Sequence, residues 1–133
     1  MRADSARLYS TDRNQDCIDA CTQCHQLCTE SAMQAVAVGG RHADPEFVRL
    51  LEDCADMSMT AARFLIRRSD LHRYACRACF SVAARCADEC ERLGMLTCAE
   101  ACRRCAEACA QVAMDPTVAG SAIVFREQAG VTA

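Results

Sequence analysis

Thirteen of the 133 residues are cysteine, and their spacing limits what they can do. One run, C-I-D-A-C-T-Q-C-H-Q-L-C, carries Cys17, Cys21, Cys24 and Cys28. A second, C-A-E-A-C-R-R-C-A-E-A-C, repeats the same spacing with Cys98, Cys102, Cys105 and Cys109. A looser cluster holds Cys76, Cys79, Cys86 and Cys90, and Cys54 stands alone. Steps of four, three and four residues follow the helical period, so each complete set lies on a stripe about 60° wide. An ordinary helix puts Leu or Ile on such a stripe to face the core. Selection for volume alone would use Ala, Val and Leu there as well, so filler does not explain the repeat.

Disulfides fit poorly. Helical neighbours three or four residues apart have Cβ atoms ~5–6 Å apart, whereas a disulfide needs ~3.5–4.5 Å. An odd number of cysteines also leaves at least one thiol over. Thiol redox catalysis through Cys76-Arg77-Ala78-Cys79 would call for a neighbouring βαβ pattern, and none is visible, so no enzyme is expected. Metal binding fits better. With metal–sulfur bonds of roughly 2.3 Å, one ion spans sulfurs up to ~4.6 Å apart. The pairs 17/21, 24/28, 86/90, 98/102 and 105/109 then read as two-thiolate clamps, with 76/79 as a sixth.

Thiolates select Cu(I), zinc and iron–sulfur clusters. Four thiolates on one zinc dication leave a local charge of −2, and many such sites in one core carry a large desolvation cost. Cu(I) is monovalent, accepts low coordination, and at about one ion per thiolate keeps the core near neutral. Iron–sulfur proteins use loop spacings of the C-x2-C-x2-C type, which are absent. Multiple Cu(I) ions rank first, and a zinc or general soft-metal thiolate buffer is the alternative.

These stripes need helices to hold them, and helical periodicity dominates the chain. The pattern predicts a first helix over about 4–37, ending at Gly39-Gly40. Asp44-Pro45-Glu46 starts a second, with an N-cap, a first-turn proline and an acid near the positive end of the dipole. Its expected core stripe is Phe47, Leu50, Leu51, Cys54, Met57, Ala61, Phe64 and Leu65, running to about Arg67-Arg68. Ser69-Asp70 is expected to cap a third helix reaching about Leu93, closed by Gly94. A fourth runs from Met95 or Thr97 to just before Asp115-Pro116. The fold class is therefore all-α: an antiparallel up-down-up-down four-helix bundle with cysteines lining the core, over residues 1–115. Residues 116–133 form a tail whose role, disorder or an interface, stays open.

The 15 basic residues, all Arg, against 18 acidic ones give no basic patch, so neither nucleic acid nor an anionic membrane is an expected partner. No run approaches the roughly 18 apolar residues of a membrane span. The first residues lack the apolar core of a secretory leader, which points to the cytoplasm, where thiols stay reduced; an exported form already cleaved would read alike.

Around the stripes, His72 lies one turn before Cys76 and is a candidate ligand or gate at one mouth of the bundle. Met57 is one turn beyond Cys54 and Met95 one turn before Cys98. As thioethers they are candidate Cu(I) ligands near the end formed by the second and third connections. His25 is expected at a surface or interface, and His42 in a solvated loop.

The duplicated C-x3-C-x2-C-x3-C, with the thinner third cluster, resembles the bacterial copper storage protein (Csp) family over about residues 5–113. That resemblance implies a homotetramer of four-helix bundles holding many Cu(I) ions on inward-facing cysteines, as a store for copper enzymes. Of the family's exported and cytosolic branches, the missing leader points to the second. The third helix departs from a full stripe: Ala83 stands where a thiol would complete the run between Cys79 and Cys86.

Overall fold

A computed structural model describes residues 11–114. The expected start of the first helix before residue 11, and the tail 116–133, lie outside them. Among the described residues there are four α-helices: α1 (Thr11–Val38), α2 (Pro45–Ile66), α3 (His72–Arg92) and α4 (Leu96–Ala113), with a short 3₁₀ turn, Gly40–Ala43, between the first two. Each helix packs on its neighbours in sequence, and α4 returns against α1. Cys17 meets Cys109, Cys24 meets Cys102 and Cys28 meets Cys98, so α1 and α4 run antiparallel. The α1–α2 and α3–α4 connections share one end of the bundle, the loop end. The beginning of α1, the end of α4 and the α2–α3 turn share the other, the terminal end.

Local chemistry sets the helix boundaries. Pro45 occupies the first turn of α2, and the Asp44 carboxylate accepts a hydrogen bond from the Glu46 backbone N–H at 3.2 Å. α3 ends in a Schellman motif, in which Met95 N–H donates to the Cys90 carbonyl and Gly94, at φ 80°, takes the left-handed position. α2 ends in the same way, with Ser69 N–H donating to Phe64, but there Arg68 holds φ 55°. This motif moves the start of α3. Ser69 is consumed by the end of α2, its hydroxyl accepts from Leu71 N–H, and α3 begins at His72 rather than at an Ser69-Asp70 cap.

The core is built from cysteine and alanine, with a few larger residues. Phe47 and Leu51 pack on the part of α2 nearer the loop end, while Leu65 and Val112 lie near the terminal end. Burying one Leu side chain contributes about 1.5–3 kcal/mol. The buried face of α2 departs from the expected stripe. Ser58 and Ala62 are fully buried, whereas Leu50, Met57 and Phe64 are half-buried at its edges.

Candidate metal centre

All thirteen cysteines are free thiols, and none is more than 3% exposed. The stripes read from the sequence therefore face one shared interior. The closest approaches, however, run between helices rather than along them. Cys28 and Cys102 are 3.5 Å apart, and Cys21–Cys109, Cys24–Cys54, Cys79–Cys105 and Cys21–Cys105 each measure 3.6 Å. The within-helix pairs 17/21 and 24/28 are wider, at 3.9 Å each. Bonds of about 2.3 Å separate two sulfurs by roughly 3.8 Å around a tetrahedral ion and roughly 4.0 Å around a trigonal one. The thiols thus already stand at the spacing that a shared soft ion imposes.

Three groups have sulfurs within 4.8 Å of one another: Cys21, Cys79, Cys105 and Cys109; Cys24, Cys28, Cys54 and Cys102; and Cys17, Cys76 and Cys109. Cys109 belongs to two of them. Cys98 sits 3.7 Å from Cys28 at the loop-end edge. Cys86 and Cys90 are fully buried beside the second group, where Cys102 is the foremost influence on each thiol. Ala83 is also fully buried, so the gap in the α3 stripe is a gap in the sulfur lining itself.

Hydrogen bonding among the thiols divides their acidities. Cys24 is lowered to about 5 and Cys54 to about 6, each chiefly through its hydrogen bond with Cys102. Cys102 is pushed up, foremost by its hydrogen bond with Cys24, which holds the proton on the Cys102 sulfur. At the terminal end Cys17 is lowered, chiefly by its hydrogen bond to Cys109 and in smaller part by the charge of His72. A cation entering such a group replaces protons that neighbouring sulfurs already share.

The side candidates fall in several places. His72 opens α3, half-buried, and its Nδ1–H donates to the Ser69 carbonyl at 2.8 Å. In the neutral ring that bond leaves Nε2 with the lone pair. Met57 and Met95 are half-buried against the core, but they do not share an end: consecutive connections of an up-down bundle lie at opposite ends, so Met95 is at the loop end and Met57 is one turn from Cys54 toward the terminal end. His25 is a strut between helices, its Nδ1–H donating to the Ala55 carbonyl of α2 at 2.9 Å. His42 is not a solvated loop residue. It is half-buried, and its Nε2–H donates to the Leu93 carbonyl at 3.2 Å, tying the two loop-end connections together. Ser58 was missed by the sequence reading. Its hydroxyl lies 3.7 Å from the Cys105 sulfur and 3.8 Å from that of Cys79. Its place four residues after Cys54 was the signal available.

A four-helix bundle whose interior is lined by reduced thiols is, as a class, a container for soft metal ions. Residues 10–114 match the family described as copper storage protein (Csp), and the chain belongs to that family. Among solved structures it is similar to the Nmul_A1745 protein of Nitrosospira multiformis, with 35% identity and a TM-score of 0.76, covering 78% of this chain and 97% of that one. A variant of Ccsp from Streptomyces lividans matches with 34% identity and a TM-score of 0.72, over 78% and 94% of the two chains. The uncharacterized cysteine-rich protein YhjQ of Bacillus subtilis is 27% identical, over 65% of this chain and 90% of its own length.

Proposed function

We propose that this protein is a non-catalytic store that sequesters multiple Cu(I) ions on its thirteen core cysteines. The observation that carries the reading is the cross-helix sulfur spacing of 3.5–3.9 Å inside a buried lining. Thiolates favour Cu(I) among the physiological soft ions, and a monovalent cargo limits the charge left in the core. His72, through Nε2, is the candidate additional ligand at the terminal end. Met57 and Met95 are thioether candidates farther along the core. The store works in the cytoplasm, where its thiols stay reduced. Among the described residues no helix is long and apolar enough to cross a membrane. Exposed apolar side chains on α1 and α3, Met33, Val36 and Phe80, offer surface for other copies in a homotetramer.

Anaerobic titration with Cu(I) against a competing chelator tests this reading. The expected stoichiometry approaches the thiol count with little change in helicity; saturation at one or two ions overturns it. The near-tetrahedral sulfur spacing also suits zinc, which keeps a zinc or general soft-metal buffer as the second reading. Zinc that co-purifies and resists displacement by Cu(I) selects that alternative.

A further inference from the structure

We propose, on the reading that the bundle stores Cu(I), that its sulfur core is two metal compartments divided at Ser58 and Ala83. The terminal-end compartment holds Cys17, Cys21, Cys76, Cys79, Cys105 and Cys109, linked by sulfur separations of 3.6–3.9 Å and by the two groups that share Cys109. The loop-end compartment is built on Cys24, Cys28, Cys54 and Cys102, with Cys86, Cys90 and Cys98 beside them. The sulfur–sulfur approaches of 3.5–3.9 Å each lie within one set, and Cys24 with Cys105 supplies the hydrogen bond across the boundary. Cys24 and Cys105 face each other at the boundary and still influence one another's protons.

The boundary has a cause in two side chains. Along α2 the inward stripe passes from Cys54 to Ser58, and along α3 from Cys79 through Ala83 to Cys86. Both replacements are fully buried. Ala83 has no donor atom. The Ser58 hydroxyl is a hard oxygen that accepts from the Cys79 thiol at 3.8 Å and hydrogen-bonds with the Cys105 sulfur at 3.7 Å, but it is a poor bridge between soft ions. Two of the four walls therefore interrupt the sulfur lining on adjacent turns, Ser58 beside Cys79 and Cys105 and Ala83 one turn farther along α3. An ion passing between compartments must exchange ligands at Cys24 and Cys105. Each Cu(I) taken up displaces thiol protons with no change of oxidation state, so each compartment fills as its own unit.

Native mass spectrometry of the full chain, loaded anaerobically with substoichiometric Cu(I), reads this directly. A half-filled species is expected to accumulate ahead of the full one. Ser58→Cys/Ala83→Cys, which returns sulfur to both gaps with little change in volume, is expected to abolish that plateau. Cys21→Ser/Cys109→Ser, two thiols whose partners all lie in the terminal-end set, is expected to keep about half of the capacity at unchanged affinity, since sites without shared partners behave independently. A smooth distribution of ion counts in the unmodified protein overturns the compartments and leaves the store intact. Failure to take up more than one or two ions overturns both.

Discussion

Toward the loop end every helix contributes sulfur, α2 through Cys54. Toward the terminal end α2 contributes Ser58 instead, and α1, α3 and α4 supply all six thiols. The difference lies in one helix. α1 and α4 carry repeated stripes and turn four thiols each into the interior, whereas α2 packs conventionally with Phe47, Leu51 and Leu65 and lends the interior a single thiol. The comparison teaches that the same fold tolerates sulfur in place of hydrocarbon on three walls when the fourth keeps apolar anchors.

The largest expected effect comes from attacking that anchor. Leu51 is fully buried one turn before Cys54. Leu51→Ala should destabilise the apo protein by about 2–5 kcal/mol, the usual cost of such a cavity, read from urea unfolding. Loss below ~1 kcal/mol would mean that the thiols, not α2, hold the loop end together. Next, Cys54→Ser makes α2 equally sulfur-free at both levels. Capacity should fall by about one ion, with the Cys21–Cys79–Cys105–Cys109 group unaffected, since oxygen ligates Cu(I) poorly; chelator competition measures both.

Acidity sharpens the contrast further. Cys24 and Cys54 stand at about 5 and about 6 against 9.0 for an ordinary thiol. Their ionised forms are favoured by the fold, so this contribution to stability is complete above pH 9 and is lost as pH falls toward 5. Cys28 and Cys102 are shifted upward and act oppositely, contributing below pH 9 and losing that contribution as pH rises beyond it. Thermal unfolding of the apo protein under reducing conditions should therefore show a maximum near pH 9. A midpoint that stays flat from pH 5 to 9 would refute the shared-proton network. The smallest effect is at the α2–α3 turn. Arg68→Gly relieves a left-handed residue and should stabilise the apo protein by at most about 1 kcal/mol, measured by the same unfolding curves.

Much of the architecture was legible because thiol spacing and helical period are the same information. The stripes of α1 and α4, the Pro45 start, the Gly94 stop and the Ala83 gap all follow from local sequence. What crosses between helices was not legible. The predicted clamps lie along single helices, whereas the shortest sulfur separations join different ones, because register depends on how the connections close. Ser58 is fully buried on the inward face of α2, one position from the half-buried Met57, and a one-residue rotation of that face is not written in the local pattern. The start of α3 slipped because Ser69 serves the end of α2 instead. No local pattern marked Arg73 for burial at 1% exposure.

When the nearest sulfurs belong to different helices, a bound ion is also a rivet between them. Such ions stabilise the folded chain by mass action, since the unfolded chain lacks their sites. A laden bundle can then come apart only after surrendering cargo, while an empty one relies on alanine, a few larger apolar residues and its turns. Proteases that sample opened chains would clear empty containers and spare full ones, so the lifetime of each molecule becomes a record of what it carries.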